Sequence, residues 1–296
     1  MRRIFVMVAV AACSIMLAGC CSADKPQKEM AIQLYSARDL IGNPEKYAEN
    51  HETVLKALAD MGYTAVEAAC YGDGKFYGVA PEQFKADVEA AGMKVLSSHT
   101  NHHLSAEELA SGDISASLAW WDEAIAAHKA AGMEYIVIPS LHVGSLKDLK
   151  AYCDYYNEVG RRCKDAGMSF GYHNHAHEYR KVEGEVMLDY MLQNTDPELV
   201  FYQMDVYWTV YGNASPVEYF NKYPGRFKLL HIKDKAEIGH SGMVGFDAVF
   251  DNACTAGMEA YVVEVEGCRN EAALEGIRVS ADYILNAPFV KPTYAE

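Results

Sequence analysis

The chain has 296 residues, half of them (50%) hydrophobic, and a formal net charge of −15. That apolar content over that length supports one large folded core and excludes an intrinsically disordered chain. The acidic balance repels phosphate backbones and so argues against nucleic acid as a partner, while leaving a small neutral carbohydrate open.

The N-terminus reads as an export signal. Arg2 and Arg3 supply positive charge, residues 4–16 form an apolar run too short to span a bilayer comfortably, and Leu17-Ala18-Gly19-Cys20 follows. That quartet resembles the lipobox of bacterial lipoproteins. The resemblance implies that residues 1–19 are removed, that Cys20 is acylated, and that the protein is exported and anchored by lipid on the periplasmic or cell-surface side. Residues 20–29 then form a tether and 30–296 a single domain. The later cysteines show no CxxC spacing, which leaves a zinc-ribbon or thioredoxin reading unsupported. Most are expected to be buried free thiols, with Cys153 and Cys163 on one helix.

The body alternates β-branched or aromatic runs with helical patterns. Strand-like runs fall at 31–36, 64–69, 94–99, 134–140, 169–175, 199–208, 227–234 and 260–266. Helical patterns lie between and around them at 52–60, 81–91, 117–131, 145–166, 186–193, 216–222 and 245–255. A phrase recurs at the helix ends: Asp60-Met61-Gly62, Ala91-Gly92-Met93, Ala131-Gly132-Met133, Ala166-Gly167-Met168 and Ala256-Gly257-Met258. Glycine just past a helix takes the left-handed conformation that stops it. Eight βα units with no glycine-rich phosphate loop after the first strand predict an α/β fold, a closed (β/α)8 TIM barrel, rather than an open doubly wound sheet.

Polar residues sit at the ends of the last four runs. The fifth ends in His173-Asn174-His175 with Glu178 following, the sixth reaches Asp205, the seventh carries His231 and Lys233, and the eighth carries Glu264 and Glu266. Side chains alternate along a strand, so His173 and His175 are expected on one face. An Asp at the end of an apolar strand is costly to bury unless it is paired, metal-bound or a helix N-cap. Two glutamates sharing a face repel each other unless a cation intervenes. Barrels of this kind place their chemistry at the C-terminal strand ends, so the pattern predicts one metal site at the mouth. Tyr35, His99, Trp208, Lys233 and Glu266 are the candidate substrate-binding residues, and Glu67 is as readily a barrel-rim salt bridge.

Ile32-Gln33-Leu34-Tyr35-Ser36, Tyr172-His173-Asn174-His175 with Glu178, His231-Ile232-Lys233-Asp234-Lys235 and Val263-Glu264 together resemble the xylose isomerase-like, sugar phosphate isomerase/epimerase family, related to the AP endonucleases. The resemblance covers about residues 30–286 and implies one divalent ion (Mn, Co, Zn or Mg) held by Glu, Asp, His and Glu from strands five to eight. Asp205, His231 and Glu264 match the last three positions. His173 stands where many members carry the first Glu and is expected as the fourth metal ligand, with His175 as the alternative; the change from Glu makes symmetrical two-Glu epimerisation less expected, and His175 also stands where some carry a catalytic base. The resemblance implies proton abstraction beside a sugar carbonyl, by His175 or Glu178, in an isomerase, epimerase or keto-glycoside lyase. A sugar-binding lipoprotein without turnover is the alternative. The charge and the lipobox argue against an endonuclease.

Overall fold

The computed structural model describes residues 27–268 and 272–295. The expected export signal and the expected acylation site Cys20 therefore lie outside the described residues. No described helix is long and apolar enough to cross a membrane.

The barrel strands are β1 (Ala31–Gln33), β2 (Ala65–Ala68), β3 (Lys94–His99), β4 (Tyr135–Ile138), β5 (Ser169–His173), β6 (Val200–Asp205), β7 (Leu229–Lys233) and β8 (Ala260–Glu264). Each pairs in parallel with its neighbours in sequence, and β8 closes onto β1. The helices between them include α1 (Pro44–Asp60), α2 (Pro81–Ala90), α3 (Ser115–Ala130), α4 (Leu146–Asp165), α5 (Met187–Asn194), α6 (Pro216–Lys222), α7 (Phe246–Asp251) and α8 (Ala273–Asn286). The expected (β/α)8 barrel is the fold.

The recurring glycines do what their position requires. Gly62, Gly92, Gly132, Gly167 and Gly257 all have positive φ, between 77° and 98°. Each turns the chain off a helix and into the next strand, which repeats the βα unit around the barrel.

Strand alternation separates two apolar clusters. Ile32, Val66, Ile136, Phe170, Tyr202, Leu230 and Val263 face the helices and belong to the main core. Ala31, Ala65, Leu96, Tyr135, Val137, Phe201, Leu229 and Val262 form a second cluster inside the barrel. Gly171 belongs to the same interior layer: a Cβ there would lie 2.6 Å from the Phe201 ring, so only glycine leaves room for it. Two residues further along the same strand faces come Gln33, Glu67, His173, Gln203, His231 and Glu264, all buried. The interior thus changes from apolar packing to polar chemistry within one step of the pleat.

Several element boundaries differ from the sequence reading, the most consequential at β5 and β6. The strand expected through residue 208 stops at Asp205, where a short helix, Val206–Tyr211, begins. β5 ends at His173, so His175 lies beyond the strand. Residues 28 and 29, at the end of the expected tether, pack on the barrel: Lys28 Nζ donates to the carbonyls of Ile284 and Ala287 at 2.9 and 2.6 Å, and Glu29 N donates to Pro292 O at 2.7 Å. Cys153 and Cys163 share α4 and are buried free thiols as expected, but free Cys254 is exposed and free Cys70 half-buried.

Candidate metal centre

Asp205 ends β6 with its carboxylate fully buried. Oδ1 accepts from Trp208 N at 2.8 Å and caps the following short helix, while buried Oδ2 has no hydrogen-bond partner. His231, on β7, lies close to Glu67 Oε1 through Nε2 at 2.6 Å. Its Nδ1 lies 3.4 Å from Glu264 Oε2 without forming a hydrogen bond. Asp205, His231 and Glu264 each offer a ligand atom within 4.8 Å of the other two. A buried carboxylate oxygen left without a donor is costly. Two carboxylates and an imidazole converging from three adjacent strands are a donor set that fits a divalent cation.

His173 takes a different place. Its Nδ1 is 3.1 Å from Gln203 Oε1, and it groups with His99 and His231, again with ligand atoms within 4.8 Å of one another. His231 is therefore shared by two trios: a carboxylate-rich one toward β6 and β8, and an all-histidine one toward β3 and β5.

The electrostatics follow from burial and pairing. Burial raises Asp205 to about 7, against the pull of Lys233 and with added repulsion from Glu264. Burial opposes charge on Glu67 too, but His99 and His231 outweigh it and hold Glu67 down at about 2. Burial likewise disfavours a charged His231, yet Glu67 and Glu264 on either side raise it to about 10. A cation bound at this imidazole would have to replace a proton. Glu264 is held well below the ordinary carboxylate range: burial works against its charge, and Lys233 and His231 overcome it.

A cavity of about 470 Å³ opens at the mouth, with Tyr35, Tyr71, His99, His173, His175 and Glu264 among its walls. Glu266 also lines it, as do Cys70 and Asn101, which carried no sequence signal. Tyr35 is 43% exposed and stacks under Arg38, whose guanidinium carbon is 4.5 Å from the ring centroid. Of the other candidate substrate contacts, Lys233 is buried behind the carboxylates, 2.8 Å from Glu266 and 3.5 Å from Glu264. Trp208 packs beside His175, with ring centroids 5.7 Å apart.

The two candidate bases separate. His175 lines the cavity, and its Nδ1 is buried without a partner. Burial lowers it to about 4, with Glu264 pulling the other way, so the imidazole is neutral but a weaker proton acceptor than an ordinary histidine. Glu178 sits in the short 3-10 turn His177–Tyr179 and is fully buried. Its Oε1 accepts from Tyr172 OH at 2.7 Å and its Oε2 from His175 N at 2.9 Å. Tyr172 belongs to the layer between strands and helices, so Glu178 braces the His175 loop from behind.

A crystal structure of a sugar phosphate isomerase/epimerase from Parabacteroides distasonis superimposes with a TM-score of 0.81 at 34% identity, covering 91% of this chain and 98% of that one. An inosose dehydratase from Geobacillus kaustophilus is 24% identical over 213 residues, 66% of this chain and 65% of that protein. The chain spans less than two thirds of the length of the curated dehydratases it matches. The IolI protein, crystallised with a bound zinc atom, shares the fold at 12% identity and a TM-score of 0.65, covering 90% of this chain and all of that one. The family profile of the xylose isomerase-like TIM barrels matches residues 55–285. The chain belongs to the xylose isomerase-like TIM-barrel family.

Proposed function

We propose that this barrel is a metal-dependent carbohydrate enzyme that removes a proton beside the carbonyl of an unphosphorylated keto-sugar or keto-glycoside. The observation that carries the reading is the pair of buried atoms without hydrogen-bond partners, Asp205 Oδ2 and His231 Nδ1, gathered with Glu264, which lines the mouth cavity. A divalent ion held there by Asp205, His231 and Glu264 would supply Lewis-acid polarisation of substrate oxygens. The zinc atom of IolI and the names of the dehydratase and isomerase/epimerase relatives support that chemistry as a class.

The chain's own residues supply the rest. His175, neutral and lining the cavity, takes the proton. Glu178 holds the His175 backbone in place. Tyr35 and Tyr71 offer ring faces for a sugar, and Glu266 offers a hydroxyl acceptor at the rim. Return of the proton gives isomerisation or epimerisation, and loss of a leaving group from the neighbouring carbon gives elimination.

The experiment is a panel of keto-sugars and keto-glycosides in heavy water with the metal-loaded protein. Deuterium uptake or aglycone release is expected, and neither appearing with any member would overturn the reading.

The lipobox-like Leu17-Ala18-Gly19-Cys20 places the enzyme, in the same reading, on an exported lipid anchor, where phosphorylated sugars are scarce. The Cys20→Ala variant should lose lipid labelling, and normal labelling would refute the anchor.

A further inference from the structure

Beneath the metal candidates lies a carboxylate that the proposed chemistry does not use. Glu67 is fully buried at the end of β2, where the β2–β3 register shifts between Val66 and Glu67 and brings Glu67 opposite Ser97. A bulge of this kind re-aims a side chain. Oε1 accepts from Gln33 Nε2 at 2.8 Å and meets His231 Nε2 at 2.6 Å. Oε2 accepts from Ser97 Oγ at 2.6 Å and Gln203 Nε2 at 2.8 Å. His99 Nε2 is a further neighbour of Oε1, at 3.1 Å.

An ionised carboxylate only accepts, so every group facing it must donate. Gln33 is oriented independently, because its Oε1 accepts from Tyr35 N at 3.0 Å. With Gln203 Nε2 turned to Glu67, Gln203 Oε1 must accept, and it faces His99 Nε2 at 2.8 Å and His173 Nδ1 at 3.1 Å. One carboxylate therefore sets the proton pattern of three imidazoles.

We propose that Glu67 is a positioning residue that keeps the Nε2 proton of His231 and, through Gln203, the Nδ1 proton of His173, so that Nδ1 of His231 is the nitrogen left to bind a cation beside Asp205 and Glu264. Carboxylate–histidine pairs behind a metal fix the ring and its tautomer in this way. The proposal rests on the metal reading for its consequence, but the proton pattern is observable without an ion.

The test uses the full barrel with ¹⁵N-labelled histidine. In the cadmium-loaded wild type, ¹¹³Cd coupling is expected to His231 Nδ1, and coupling through Nε2 would overturn the proposal. The Glu67→Gln variant should bind the divalent ion about 10–100-fold more weakly. Affinity within twofold of wild type would overturn the assignment. Ser97→Ala removes a donor from the other oxygen and should change affinity much less; an equal loss would reduce Glu67 to general packing and sink the proposal. If the wild type takes up no ion at all, the metal reading fails, and the ion-free protein decides this one. Its His231 Nε2–H should give a slowly exchanging ¹⁵N–H signal that is lost in Glu67→Leu, which offers no acceptor, and a signal that is absent from wild type or persists in that variant overturns it.

Discussion

Glu67 and Asp205 are both fully buried carboxylates at the ends of barrel strands, yet their surroundings are opposites. Glu67 has hydrogen-bond partners on both oxygens and is held at about 2. Asp205 spends one oxygen on a helix cap, leaves the other bare, and is pushed up by burial to about 7. The contrast teaches how to read buried charge in this barrel. A satisfied carboxylate is architecture, because its desolvation is offset by fixed donors. An incompletely satisfied one among other ligand atoms is a candidate site for a cation.

Substitutions test whether the two kinds of buried carboxylate are separable. The largest effect on stability is expected below both carboxylates, at Phe201, whose ring fills the barrel interior against Gly171 and Tyr135. Phe201→Ala should cost about 3–5 kcal/mol in denaturant unfolding, the usual range for an excavated aromatic. It should leave ion stoichiometry unchanged, and loss of the ion would show that the apolar and polar layers are not separable.

A second test concerns a buried group of the satisfied kind. His128, on α3, is bonded to Ser98, Thr100 and the Ala124 carbonyl, and burial lowers it to about 4, with the Ala124 bond pulling the other way. The unfolded chain, at the ordinary 6.5, binds a proton that the folded chain refuses. The neutral form's contribution is therefore complete above about pH 6.5 and is lost as pH falls toward 4, a change on the order of 3 kcal/mol. Unfolding free energy followed over that window should show the loss, and His128→Gln should flatten it. An equal slope in both proteins would remove His128 from the account.

A third test separates the two base candidates. His175→Ala should keep the ion and lower turnover about 10²-fold or more, the usual scale for a general base, equivalent to about 2.7 kcal/mol of barrier. Glu178→Gln should have a smaller effect on turnover and cost about 1–3 kcal/mol of stability through its buried bonds. The reverse pattern would transfer the base to Glu178.

Much of this was legible in the sequence, and the exceptions have physical causes. The eight strands and the glycine stops follow from short-range patterning, which reports the alternation of faces and the need for positive φ. Asp205, His231 and Glu264 stood out because charge at the end of an apolar strand is expensive. The helix at Val206–Tyr211 was hidden inside an aromatic run that reads as strand until Asp205 caps it. Glu178 looked like a cavity group by its nearness to His175, but the 3-10 turn swings it toward Tyr172. The role of Glu67 could not be read, because its partners His231 and Gln203 lie 164 and 136 residues away and meet it only when the barrel closes.

The proposed chemistry requires a divalent ion held by Asp205, His231 and Glu264. Titration calorimetry with Mn, Co, Zn and Mg, paired with elemental analysis, tests it most directly on wild type and the Asp205→Ala/His231→Ala double variant. One ion per wild-type chain is expected, and loss of most of the metal in a double variant whose circular dichroism still reports a folded barrel. Stoichiometric metal in that variant, or none in wild type with any of the four ions, would contradict it.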